Sequence, residues 1–115
     1  MNEKKRKRIY LSLPISGYDL DERRATAERK KKELEGFGYE VVNPLENGLP
    51  VDAGTHAHMR RDIEMLLGCD AIYLMERFTH SAGCMTEFHV ATAIGLDVHF
   101  EECHALSDVE LVKFV

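Results

Sequence analysis

The sequence predicts a single α/β domain with a parallel sheet of four to five strands, covered by helices on both faces. Three observations lead there. Residues 71–75, Ala-Ile-Tyr-Leu-Met, form a short apolar run without polar alternation, the pattern of a parallel strand buried on both sides. Residues 9–42 read as strand, helix, strand, which implies a right-handed βαβ unit and a parallel pair. Soon after the 71–75 strand, Ser81-Ala-Gly opens an apolar helical stretch, and Ser is a favoured N-cap. A helix N-terminus at the carboxyl end of a sheet strand leaves N–H groups unpaired. In open α/β folds that edge is where ligands bind.

Taken in order, residues 1–8 form a basic tail, read as solvated chain before the first strand. Residues 9–13 are that strand, ended by Pro14-Ile-Ser-Gly-Tyr18, where Gly17 permits a turn with positive φ. Such a loop can present N–H groups and the Ser16 hydroxyl to an anion. Asp19 or Asp21 caps the next helix, which runs to about residue 35. Ala25, Ala27 and Leu34 give it only a thin apolar side, so it is expected on the surface. Gly36-Phe-Gly38 ends it, and residues 39–42 form the second strand, stopped by Asn43-Pro44.

Residues 43–56 carry Pro, Gly and Asn without periodicity, a loop long enough to serve as a lid over a pocket. A helix is expected over 57–67, with Met59, Ile63, Leu66 and Leu67 on its core face and Glu64 in solvent. Asp62 falls on the edge of the apolar face, where an acid is either paired or functional. Gly68-Cys69-Asp70 closes this helix. The Ser81 helix reaches about residue 94, Gly95 ends it, and residues 97–100 form the fourth strand. A short helix capped by Ser107 or Asp108, with Val109, Val112 and Phe114 apolar, is expected at the end.

Composition narrows the function classes. One domain of 115 residues with 44% hydrophobic and 30% charged residues is an ordinary globular protein large enough for one core. A formal net charge of −5 argues against a general nucleic-acid binder. There is no apolar run of membrane length, and the basic start leads into a strand rather than a signal sequence. Three cysteines without regular spacing suggest reduced thiols in a cytoplasmic setting, with Cys69 and Cys84 as packing residues. Six histidines show no zinc-ligand spacing, so no metal site is expected.

Carboxylates are the better chemical candidates. Asp62, near the end of one helix, and Glu87, early in the next, can meet above the strand that joins the two. Two acids in an apolar pocket split their pKa values, one staying ionised and the other protonated. That division suits cleavage of a glycosidic bond, one carboxylate attacking the anomeric carbon and the other handling the leaving group's proton. The alternative is structural, with Asp62 in a helix-end ion pair and Glu87 bonded to backbone or arginine.

Four motifs in order, Tyr10-Leu-Ser-Leu-Pro-Ile-Ser-Gly17, Val41-Val-Asn-Pro44, Asp62 with Asp70, and Ser81-x-Gly83-x-x-x-Glu87, resemble the nucleoside 2-deoxyribosyltransferase superfamily. The chain is most similar to its small phage and bacterial branch, the DUF4406 family, over about residues 9–100. The resemblance implies a flavodoxin/Rossmann-like three-layer sandwich, a homodimer or larger homo-oligomer, and no metal or organic cofactor. It implies cleavage or transfer of the N-glycosidic bond of a 2-deoxynucleoside or its 5′-monophosphate, a small-molecule partner rather than a nucleic-acid polymer or a membrane. Glu87 matches the nucleophile and Asp62 the acid that protonates or positions the leaving base. Ser81, with Gly83 of the same motif, matches a sugar- or phosphate-contacting position. Ser16 and Gly17 fall under the substrate and Tyr18 over it. Arg23 and Arg24, near the start of the basic helix, favour a phosphorylated substrate. The family's first loop commonly reads Gly-Pro-Met-Ser-Gly. Here Leu13 and Ile15 replace its first and third residues, bringing a bulky side chain to a point of close approach. The second function consistent with these residues is a non-catalytic nucleotide-binding or sensing module of the same fold.

Overall fold

A computed structural model describes residues 6–101. The expected final helix and Cys103 lie outside the described residues, as does most of the basic tail. Four strands form one parallel sheet: β1 (Arg8–Ser12), β2 (Glu40–Val42), β3 (Ala71–Leu74) and β4 (Asp97–Phe100), in the order β2-β1-β3-β4. Three helices connect them: α1 (Leu20–Gly36), α2 (Thr55–Leu67) and α3 (Ala82–Ala93). Short 3₁₀ turns at Pro44–Glu46 and Phe78–His80 escape the sequence reading, because three residues carry no periodicity. Among the described residues no helix is long and apolar enough to cross a membrane.

The two faces of the sheet build two cores, which makes the fold a three-layer α/β sandwich of the flavodoxin/Rossmann-like class. Ile9, Leu11 and Leu13 pack with Ala27 and Leu34 of α1 on one face. Tyr10, Ile72 and Leu74 pack with Leu66 of α2 and Phe88 and Ala91 of α3 on the other. Period-two alternation thus runs through β1 even though both of its sides are buried. Each fully buried Leu or Ile contributes about 1.5–3 kcal/mol to this packing. Phe78, Phe88 and Phe100 form a three-ring cluster with centroids 5.7–6.1 Å apart. That cluster ties the turn after β3 to α3 and β4.

Helix α1 is amphipathic in an unexpected way. Its buried face runs through Arg23, Ala27, Lys30 and Leu34, and Ala25 is exposed, contrary to expectation. Arg23 and Lys30 side chains keep only 12% and 13% of their exposure, so their aliphatic stems replace apolar residues. Asp19, not Asp21, caps the helix by accepting from Glu22 N–H at 3.0 Å. On α2 the core stripe follows Ile63 and Leu66, with Met65 rather than Leu67 packed against it, and Met59, expected on the core face, lines a cleft instead. Leu67 is 56% exposed, because the helix ends there at Gly68 and the chain turns back into β3. The helix also starts two residues earlier than expected, at Thr55.

Strand order places the site. The chain leaves β1 for β2 on one side and returns across to β3 on the other. The carboxyl ends of β1 and β3 are therefore neighbours whose connections diverge, the switch point where open α/β sheets form a crevice.

Candidate functional site

A cleft of about 500 Å³ opens at that switch point. Its walls come from the loop after β1, the start of α2 and the turn and helix after β3. Six of the seven residues anticipated from sequence line it: Ser16, Tyr18, Asp62, Ser81, Gly83 and Glu87. Gly17 does not. Its φ of +86° forms the β-turn closed by Tyr18 N–H to Ile15 C=O at 3.1 Å, so its role is conformational. Leu13 is buried in the core beside α1, where it closes the floor of the cleft without filling it.

Glu87 is the buried centre of the cleft. It is 5% exposed and lies on α3, where Ser81 caps the first turn by accepting from Cys84 N–H at 3.2 Å. Tyr10 OH donates to Glu87 Oε2 at 2.8 Å and Ser12 Oγ donates to Oε1 at 2.7 Å. Burial pushes the Glu87 carboxyl up from 4.5 to about 7, against the two hydroxyl donors and with help from the negative charge of Asp62. Tyr10 is held well above its ordinary value by burial and the adjacent carboxylate, so it stays a donor.

Asp62 faces the same cleft and is also raised, chiefly by burial, while the bond from Asn47 and the charges of His58 and Arg61 pull it back. The geometry thus holds two carboxyl groups of unequal environment, one closed in by hydroxyls and one at the rim. Cys84 also lines the cleft, but burial pushes its thiol up to about 11, which keeps it from acting as a thiolate. Among the described residues no group of His, Cys, Asp or Glu is arranged to hold a metal ion.

A second compartment of about 290 Å³ adjoins the first and shares Ile15, Ser16, Pro44, Thr55, Met59 and Asp62 with it. Leu20, Leu45, Leu49 and Val51 give it apolar walls, while Asn47, His58 and Arg24 add polar ones. The 43–54 segment is therefore a wall built partly from a 3₁₀ turn. Arg23 is not available to a ligand. Its guanidinium donates to Pro14 C=O at 3.1 Å, pairs with Glu22 and lies 4.3 Å from the Tyr18 ring centroid, fastening the loop after β1 to α1. Arg77, by contrast, lines the first compartment and has a φ of +68°, a left-handed conformation uncommon outside glycine.

Four of these residues escape the sequence reading: Tyr10, Ser12, Asn47 and Arg77. Tyr10 and Ser12 sit two apart among apolar neighbours, and that period-two pair of hydroxyls on a buried strand is the signal that could have found them. Asn47 and Arg77 lie in aperiodic segments and carry no such signal.

The family described as a domain of unknown function, DUF4406, matches residues 7–100. No curated protein matches the chain. The match spans all four strands and the whole cleft, and the chain belongs to the DUF4406 family.

Proposed function

We propose that the protein cleaves or transfers the N-glycosidic bond of a 2-deoxynucleoside or its 5′-monophosphate, with Glu87 as nucleophile and Asp62 as acid. One observation carries this reading. A buried carboxylate, bonded on both oxygens by neutral hydroxyls, shares a cleft at the sheet switch point with a second carboxyl group.

In the first step a Glu87 oxygen attacks C1′, the C1′–N bond breaks, and its electron pair passes to the base nitrogen. The reactive form carries one proton between the two acids, with Glu87 ionised and the proton on Asp62. Asp62 gives it to the departing base, so the base leaves neutral and a deoxyribosyl ester remains on Glu87. Water or the N–H of a second base then attacks C1′ and gives its proton to the Asp62 carboxylate. The C1′–O bond to Glu87 breaks, and Glu87 returns to its carboxylate with Asp62 reprotonated. Tyr10 and Ser12 hold the carboxylate in one rotamer throughout. A buried carboxylate in an apolar surround is also well placed to meet the positive charge that develops at C1′. The first compartment, which holds Glu87, suits the sugar, and the adjoining compartment, bordered by Asp62, suits the base.

A nucleotide-binding module without turnover is the second reading, favoured by the same two hydroxyl bonds, which leave Glu87 fully partnered before any ligand arrives. Chromatography of free base released from deoxynucleosides and their 5′-monophosphates separates the two. The first reading expects release by wild type and none by Glu87→Ala. Thermal stabilisation by a nucleotide without release from any substrate would establish the second.

A further inference from the structure

Asn47 is 94% buried and its side-chain amide is fully engaged. Its side-chain oxygen accepts from Leu49 N–H at 3.0 Å, and its backbone oxygen accepts from Arg61 Nε at 3.1 Å. The two protons of its amide nitrogen go to Asp62 Oδ1 at 2.9 Å and to His58 Nδ1 at 3.1 Å. His58 completes the circuit through Nε2, which lies 3.1 Å from Pro50 C=O in the same segment as Asn47. The pattern closes only with His58 donating from Nε2 and accepting at Nδ1. A rotated Asn47 amide would set oxygen against the Asp62 carboxylate and N–H against Leu49 N–H.

Among the described residues, Asp62 Oδ2 has no hydrogen-bond partner within the protein, and Asp62 borders both compartments. We infer that Asn47 is a positioning residue for Asp62: by holding Oδ1 it leaves Oδ2 as the oxygen that meets the leaving group, and it couples the 43–54 wall to the acid. The inference rests on the glycosidic reading above for the identity of that leaving group. It adds a mechanical link that neither carboxylate supplies alone. Any movement of the 43–54 wall on ligand entry turns the acid with it, because Asn47 and Pro50 belong to the wall while His58, Arg61 and Asp62 belong to α2.

The test compares wild type with Asn47→Ser, whose hydroxyl can still accept from Leu49 N–H but is too short to reach Asp62. Carboxyl carbon NMR follows the titration of Asp62 in the free protein, where His58, Arg61 and Glu87 are ionisable groups around it. Loss of the amide donor raises the Asp62 midpoint by about one pH unit. In the base-release assay kcat falls by about 10- to 100-fold while KM changes by less than about threefold. Should Asn47→Ser fail to fold, His58→Leu and His58→Asn serve instead. The leucine frees the Asn47 amide to rotate and raises the Asp62 midpoint, whereas the asparagine oxygen restores the acceptor and the wild-type midpoint. An Asp62 titration identical to wild type in Asn47→Ser, or in His58→Leu when the serine variant is unfolded, overturns the inference. Because this titration needs no substrate, it decides the inference even where wild type releases no base, an outcome that would bring down the glycosidic reading alone.

Discussion

The Ser12 hydroxyl, itself without solvent exposure, donates to Glu87 Oε1 at 2.7 Å. Tyr10, two residues earlier on β1, donates to the other oxygen at 2.8 Å. The central strand of the sheet thus grips a carboxylate borne by a helix on its face, so the position of Glu87 follows from the β1–α3 packing. Removing either donor leaves a buried carboxylate less well solvated. Ser12→Ala and Tyr10→Phe should each cost about 1–3 kcal/mol in denaturant unfolding at pH 8. Each should also move the acidic limb of the pH–rate profile upward, because the donors hold the Glu87 carboxyl down.

Stability should depend on pH through Glu87 itself. Its folded value, about 7, stands above 4.5, so ionisation opposes folding. The contribution is fully present below about pH 4.5 and is lost as pH rises through about 7. The difference corresponds to about 3 kcal/mol. Glu87→Gln cannot ionise, and its amide can satisfy both hydroxyls. Thermal melting from pH 5 to pH 8 should therefore show wild type losing stability relative to Glu87→Gln, with the variant the more stable of the two at pH 8. Parallel curves would show that Glu87 does not titrate in this range.

The backbone at Arg77 supplies a separate test. A left-handed φ of +68° suits glycine and is poorly tolerated by β-branched side chains. Arg77→Val should be less stable than Arg77→Gly by about 1–2 kcal/mol in the same unfolding experiment. Equal stabilities would mean that the turn relaxes without cost.

Cys69 and Cys84 should resist thiol reagents in the native protein. Burial pushes both thiols up to about 11, and neither is more than 6% exposed. Peptide mass mapping after a short exposure to iodoacetamide at pH 7.5 should find both unmodified, and both modified once the chain is unfolded in urea. Rapid native labelling of Cys84 would contradict its role as a buried packing residue.

The sequence made the architecture legible wherever residues repeat with a structural period. The apolar run at 71–75, the Ser81 cap and the glycine stops at 38 and 95 mark three strands and two helices closely. Arg23 and Lys30 disguised the inner face of α1, because a long aliphatic stem buries like an apolar residue but reads as a charge. Leu67 misled in the opposite sense, since its spacing fits the α2 stripe but the helix ends before it has anything to cover. At the site, Glu87 and Asp62 stood out as acids on apolar faces. Their partners did not. Asn47 reaches Asp62 from a segment whose path is set by an Asx turn and a 3₁₀ turn, which leave no periodic trace.

The central claim is that Glu87 forms a bond to the sugar. Its most direct test is rapid acid quench of wild type with a deoxynucleoside 5′-monophosphate at pH 8, followed by peptide mass analysis and alongside base release by Glu87→Gln. The account predicts a sugar-phosphate adduct on the peptide that carries Glu87, and base release at least about 10⁴-fold slower in the variant. Base release by Glu87→Gln at the wild-type rate, with that peptide unmodified at every quench time, would contradict it.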